Sequence, residues 1–312
     1  YSGPISDIRG SNDPQNDFVF NPETQTLILA NPNLKPEDSE TFSAGFVYSP
    51  KFISGLTVSS DIWQIERTGV VQSAFLNAVL ARELAGTLIF PEAVERIDGE
   101  ISRIVVPYQN EGAETANGID FGIQYVKETP FGTFTSLTQV SYLNSFEVQR
   151  VAGGPTEELA GQTTNPTASN EGYYKWKGNS RLDWNWKGFD IIGTVRYTAG
   201  FREDDPNLAK HYVEARWLFD LQASYDFSAL VSKNTATTTA YSKEGSAPAP
   251  VPDEMNICDR LLNGTTITVG CTNVFDRDPP KAFGQGGNAV GYPGFTYDST
   301  GRFVYVRLTK KF

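Results

Sequence analysis

The chain has 312 residues, 39% of them hydrophobic and 12% aromatic, with 28 glycines and 18 prolines, which suffices for one large β domain or two ordinary ones. A net charge of -11 argues against nucleic acid as a partner, because phosphate binding needs clustered cations. No stretch approaches the ~18 apolar residues of a transmembrane helix, which excludes helical membrane proteins but not barrels, whose strands carry a weaker signal.

Two cysteines, Cys258 and Cys271, are too few for a disulfide scaffold, and the sequence leaves a bridge between them open. The single histidine, His211, provides no His-based metal site or catalytic triad, and no carboxylate pair is marked by spacing. No secretory signal is visible and the chain opens on Tyr1, so the expectation is a processed mature chain or part of something longer.

Taken in chain order, Phe42 to Tyr48 and Leu56 to Ile62 alternate apolar and polar residues loosely, as half-buried strands do. VVQSAFLNAVLAREL (Val70 to Leu84) spaces Phe75, Leu76, Val79, Leu80 and Leu84 as one face of a short helix. VERIDGEISRI (Val94 to Ile104) then turns at Asp98-Gly99, a two-residue hairpin signal. Ile119 to Tyr125 sets Ile119, Phe121, Ile123 and Tyr125 against Asp120 and Gln124, and Thr133 to Tyr142 follows less cleanly.

The strongest strand is Tyr173 to Lys187. One face carries Tyr174, Trp176, Leu182, Trp184 and Trp186, and the other is polar throughout. Aromatic pairs at both ends of one apolar face are what two girdles flanking a hydrocarbon band require. After a tight turn at Lys187-Gly188, Phe189 to Thr198 alternates again, as does Trp217 to Phe227. Thr265 to Thr272 places Cys271 on the face of Ile267 and Val269, which predicts a buried or lipid-facing thiol. The chain ends on RFVYVRLTKKF (Arg302 to Phe312), where Val304, Val306 and Leu308 alternate with Tyr305, Arg307 and Thr309. Lys310 falls on the apolar face, where its stem could snorkel to headgroups.

Connections sort into short ones at 49–55, 128–132 and 186–189 and long ones at 68–114, 149–172, 200–211 and 276–301. Short and long alternate along the chain, which is the organisation of an outer-membrane barrel with long loops outside. The irregular segment 228–263, with SAPAPVP at Ser246 to Pro252, breaks the rule as a flexible insert on the short-turn side.

Four blocks resemble the C-terminal barrel half of TonB-dependent outer-membrane receptors. They are NPNLKPEDSETFSAGFVYSP (Asn31 to Pro50), YQNEGAETANGIDFGIQY (Tyr108 to Tyr125), VGCTNVFDRDPP (Val269 to Pro280) and YDSTGRFVYVRLTKKF (Tyr297 to Phe312). The resemblance implies an all-β, antiparallel transmembrane barrel, with about nine C-terminal strands here out of 22, in the outer membrane of a Gram-negative bacterium. The plug domain that fills such barrels and the segment that contacts TonB are expected to be absent from these residues, and because an open sheet is not a viable membrane structure by itself, the expectation is a fragment of a longer receptor.

The implied function is active uptake of a bulky scarce nutrient: a ferric siderophore, cobalamin, haem or an oligosaccharide. Implied partners are the TonB energy-transducing complex, outer-membrane lipids, the barrel-assembly machinery and a small-molecule nutrient. No cofactor, metal or catalytic residue is implied, and the expectation is that the chain is not an enzyme. Alternative readings are a passive porin-like or adhesin-like barrel and a soluble β-rich binding domain.

Parity puts Lys175, Lys177, Arg181, Asp183, Arg196, Asp220 and Asp226 on the inward face, lining a lumen or pairing with plug residues or water. Tyr108, Trp217, Phe283, Tyr292 and Phe295 are candidates for first contact with substrate, because binding residues concentrate on loops. No binding site is assigned among them.

Overall fold

The computed structural model describes residues 5–13, 15, 19–73, 76–86, 88, 93–150, 152–163, 172–203, 212–231, 257–282, 291–294 and 296–311. Its strands in chain order are β1 (Ile5–Asp13), β2 (Val19–Leu29), β3 (Asp38–Tyr48), β4 (Leu56–Ser73), β5 (Val94–Ile97), β6 (Glu100–Thr129), β7 (Gly132–Gln149), β8 (Thr156–Glu158) and β9 (Gln162–Thr163). There follow β10 (Gly172–Tyr173), β11 (Trp176–Trp186), β12 (Phe189–Thr198), β13 (Phe201–Arg202), β14 (Tyr212–Val213), β15 (Arg216–Asp226), β16 (Thr265–Thr272) and β17 (Phe303–Lys310). Two short helices, α1 (Leu76–Leu84) and α2 (Ile257–Leu262), complete the set with a 3-10 turn at Phe227–Leu230.

The wall is an antiparallel sheet in the order β3-β4-β6-β7-β11-β12-β15-β16-β17, each strand beside its neighbour in this series. These are the strands that alternation predicts. Their short connections, at 49–55, 130–131 and 187–188, lie on the rim where β17 ends, together with the long β15–β16 connection; the other long connections lie on the opposite rim. At Lys187-Gly188 both residues take positive φ, 47° and 87°. Such a turn matches the right-handed twist of the strands it joins.

Outward faces are apolar and unusually exposed: Leu182 is 53% exposed, Leu221 52% and Val306 68%. Aromatic residues ring this face at two heights. Toward the long-loop rim, Tyr142 packs on Trp176 at 4.5 Å between centroids and Tyr197 on Trp217 at 4.4 Å. Toward the short-turn rim, Phe134 stacks on Trp184 at 6.3 Å and Phe189 packs on Tyr225 at 4.6 Å. Eight residues separate the rows along β11, about 26 Å at ~3.3 Å per residue. A strand tilt of ~40° reduces that to about 20 Å of height, close to the hydrocarbon band of a barrel.

The ladders set three boundaries. Within the long connection 68–114, β4 runs on through Ser73 and β6 begins at Glu100, so their ladder continues far above the upper aromatic row. Helix α1 covers the helically spaced Leu76, Val79, Leu80 and Leu84, while Val70 and Val71 are held in the β4 ladder opposite Gly112 and Asn110. The expected strand 173–187 is interrupted at Tyr174 and Lys175: the Tyr173 carbonyl accepts from Gly161 N (2.6 Å) and draws the chain into a small second sheet, β10-β9-β13-β14.

Two cores sit above the wall. One packs α1 through Leu76, Val79 and Leu80 against Ile28, Ile104 and Val106 of the sheet, where β2 runs parallel to β6. The other gathers Phe201, Val213, Ala282 and Tyr297 from two loops. The hairpin at Asp98-Gly99 forms as its sequence predicts, both residues having positive φ. Both thiols are free: Cys258 is exposed, and Cys271 is half-buried beside Val304 and Leu221 in the sheet. His211 and the SAPAPVP run lie outside the described residues.

Candidate functional site on the concave face

Opposite the aromatic rows, the wall is polar and concave. The parity that sends Ile119 and Phe121 outward sends Asp120 inward, and the same holds for Lys177 and Asn179 on β11 and Arg196 on β12. These side chains line a cavity of about 620 Å³ just below the long-loop rim. Its roof is the β16–β17 loop, which brings Thr296, Tyr297 and Asp298 over the sheet.

That roof is tied to the wall by a buried cation. Arg216, the first residue of β15, is only 8% exposed and donates to the carbonyls of Asp298 (3.0 Å) and Arg277 (2.9 Å). Its guanidinium carbon lies 5.9 Å from the centre of the Tyr297 ring, close enough for a cation–π contact. Thr296 Oγ1 accepts from Gly172 N at 3.0 Å, joining the roof to the neighbouring loop. Burial pushes the Tyr297 phenol above its ordinary pKa, with the Tyr174 and Tyr197 hydroxyls acting in the same direction. Among the described residues Tyr297 Oη and Arg216 Nε have no hydrogen-bond partner. Buried polar atoms of this kind are rare in folded proteins.

Four of the inward charges anticipated from parity pair with one another on the wall itself. Arg196 makes a two-pronged pair with Asp220 (2.8 and 2.9 Å), and Asp220 also accepts from Asn273 N at 2.8 Å. Arg181 pairs with Asp183 at 2.7 Å. Lys177 reaches the cavity with Nζ 5.9 Å from the Tyr174 ring. Lys175 lies at the break between β10 and β11 and packs its methylenes over Gly161. Asp226 is at the opposite rim, where it accepts from Ser228 N (2.9 Å) and caps the 3-10 turn.

The candidate aromatics lie in different surroundings. Trp217 is 52% exposed on the outward face against Tyr197, because its parity follows Phe219 and Leu221 rather than the inward Leu218. Tyr108 packs against the α1 core and Tyr292 against the loop core. Phe283 and Phe295 lie outside the described residues. Tyr174, expected on the outward face, instead joins the cavity because the strand breaks there. Arg216 was legible by parity with Leu218 and Asp220. Tyr297 was not, since its loop has no period. The arrangement supplies cations, carboxylates and phenols that can bind and orient a polar guest; among the described residues no group of three or more His, Cys, Asp or Glu is placed to hold a metal.

A family profile described as TonB dependent receptor-like, beta-barrel matches residues 3–241, well over half the chain. The chain belongs to the TonB-dependent receptor β-barrel family. Solved receptors share its fold. The ferric enterobactin receptor PfeA of Pseudomonas aeruginosa superposes with a TM-score of 0.54 at 15% identity, covering 93% of this chain and 33% of that one. The siderophore receptor PirA of Acinetobacter baumannii gives 0.53 at 12%, covering 97% and 35%. The FrpB iron transporter of Neisseria meningitidis gives 0.50 at 13%, covering 91% and 32%. A comparison with curated protein sequences finds no match. The chain thus spans about a third of the length of the solved receptors it matches. TonB-dependent receptor barrels lie in the outer membrane of Gram-negative bacteria, and the open antiparallel sheet described here is part of such a wall.

Proposed function

We propose that this chain forms the C-terminal part of the barrel of an outer-membrane transporter that takes up a bulky, scarce nutrient with energy from the TonB complex. In this reading the short-turn rim faces the periplasm and the long loops face outside. Other parts of the receptor contact TonB, the barrel-assembly machinery inserts the wall, and lipid covers its outward face. The observation that carries the reading is the combination of two aromatic rows on the outside with a charged, roofed cavity on the inside. A water-soluble sheet has no reason to leave Leu221 and Val306 exposed on a continuous apolar face.

Among the nutrients that fit, a ferric siderophore is favoured, because the similar solved proteins are named as a ferric enterobactin receptor, a siderophore receptor and an iron transporter. The role is transport and not catalysis. The test is uptake of radiolabelled ferric siderophores by a receptor-deficient Gram-negative strain expressing the full-length protein. Accumulation that a protonophore or loss of TonB abolishes is expected. Accumulation that survives both treatments would point to a passive pore, and failure with every siderophore while cobalamin or haem enters would move the substrate class.

A further inference from the structure

Val304, Val306, Leu308 and Lys310 share the outward face of β17, so the strand ends with a cation on the apolar side of the wall. An ammonium next to hydrocarbon is costly unless its charge is met. Here Nζ of Lys310 donates to the carbonyl oxygens of Arg260 (2.7 Å), Leu261 (3.0 Å) and Asn263 (2.5 Å). These carbonyls form the C-terminal end of α2, where no intrahelical donor remains and the helix dipole is negative. The same contact satisfies Lys310 and fixes α2 at the foot of the wall, reached from its outward side. Gly264 N adds a second tie by donating to Ser228 Oγ at 2.7 Å.

Held there, α2 buries none of its own residues. Ile257 and Leu261, four residues apart and therefore on one face, are 74% and 65% exposed. Leu230, at the end of the adjoining 3-10 turn, is exposed too. Directly above lies the outward apolar band, with Leu308 and Ile267 paired across β17 and β16. The apolar residues of α2 therefore continue the band that the barrel reading assigns to lipid.

We propose that α2 is an interfacial anchor, held on the outward wall by Lys310, that lays Ile257 and Leu261 into the boundary between acyl chains and headgroups at the short-turn rim. The proposal rests on the barrel reading. Lipid is the occupant because the face is continuous with the lipid-facing band and Lys310 tethers the helix to that side of the sheet. Short amphipathic helices commonly lie in this zone with their apolar face shallowly buried.

The test uses the full-length receptor in phosphatidylethanolamine–phosphatidylglycerol vesicles, with Cys258→Ser and Cys271→Ala as background. Nitroxide labels on Ile257→Cys, Leu261→Cys and Asp259→Cys are probed by collision with oxygen and with a water-soluble nickel chelate, and Leu308→Cys serves as the wall reference. Labels at 257 and 261 are expected to favour oxygen, as at 308, while 259 favours nickel. Nickel access at 257 and 261 equal to that at 259, with 308 still favouring oxygen, would place the helix in water and overturn the anchor alone. Immobile labels shielded from both reagents would mean a protein partner covers it, which also overturns it. Nickel access at 308 would instead defeat the barrel reading beneath it. Lys310→Met is expected to raise label mobility at 261 with heat-modifiable barrel migration retained; unchanged mobility would remove Lys310 from the role.

Discussion

At the scale of single residues, the wall depends on side chains that use the space left by a missing Cβ. Gly270 on β16 lies directly opposite Tyr305 on β17, whose ring folds across it. A Cβ at Gly270 would come within 2.2 Å of Cζ of that ring. From this position Tyr305 donates to Gln222 Oε1 at 2.8 Å on the next strand but one. Gly270→Val should therefore destabilise the receptor by about 1–3 kcal/mol through overpacking. Adding Tyr305→Ala should remove most of that loss, because the clashing ring is gone. Urea unfolding in lipid vesicles measures both, and strictly additive losses would refute the coupling. A second residue-scale prediction concerns Glu158 on β8, outside the spanning segments. Burial raises its pKa, but hydrogen bonds from Ser145 Oγ and the amides of Phe146 (2.9 Å) and Ala160 (2.8 Å), with Lys175 nearby, bring it below the ordinary value of 4.5. A group with a depressed folded pKa contributes stability that is fully present above the unfolded value and lost as pH falls through the folded one. Protection of the Phe146 and Ala160 amides from hydrogen exchange, corrected for intrinsic rates, should thus hold at pH 7 and fall below about pH 4.5. Glu158→Gln should lower it already at pH 7. Protection indifferent to both changes would show that the carboxylate does not hold this loop.

Between residue and molecule, the elements differ in what anchors them. Helix α1 is held by its own small core rather than by the wall: Leu80 is fully buried among Leu76, Val79, Ile104 and Val106. Leu80→Ala should cost about 2–5 kcal/mol of local stability, and the cost should stay within the loop. Limited proteolysis should then cut between β4 and β5 while the barrel keeps its heat-modifiable migration; resistance to the protease would mean the core is held by something else. This helix was legible because Leu76, Val79, Leu80 and Leu84 recur at helical spacing, while Val70 and Val71 just before it pair in β4. The hairpin at Asp98-Gly99 and the turn at Lys187-Gly188 were legible because positive φ at two consecutive residues restricts the choice of residue. The parallel pairing of β2 with β6, Gln25 opposite Arg103 through Leu29 opposite Pro107, left no local mark. A parallel ladder between distant segments is set by tertiary contact, and nothing in either segment alone encodes the register. The cavity divides in the same way. Asp120, Lys177 and Arg196 follow from alternation, whereas Tyr297 comes from an aperiodic loop and reaches the cavity only through the fold.

For the molecule as a whole, the decisive property is that its two faces demand opposite solvents. Leu221 stands midway between Trp217 and Tyr225 on β15, with Cys271 beside it on β16, and faces outward at mid-height of the band. Asn179 on β11 faces the cavity, exposed and polar. The same substitution therefore separates the two sides. Leu221→Arg should cost about 2–4 kcal/mol, the penalty of a guanidinium near the bilayer midplane. Its stem cannot carry the charge to either surface, since each aromatic row is four residues away along the strand. Asn179→Arg should stay within about ±0.5 kcal/mol, because its side chain remains in a hydrated polar cavity. Reversible urea unfolding of the receptor into and out of vesicles reads both values on one scale. A small effect at Leu221 together with a large one at Asn179 would mean that the sheet is inverted, with its aromatic rows packed against protein. Equal small effects would mean that neither face meets hydrocarbon, and the soluble β-domain reading would return. The arginine at Leu221 is the sharper probe because exposed leucine on a water-soluble sheet loses almost nothing on becoming charged, whereas lipid has no donors or acceptors to offer the guanidinium in exchange for water.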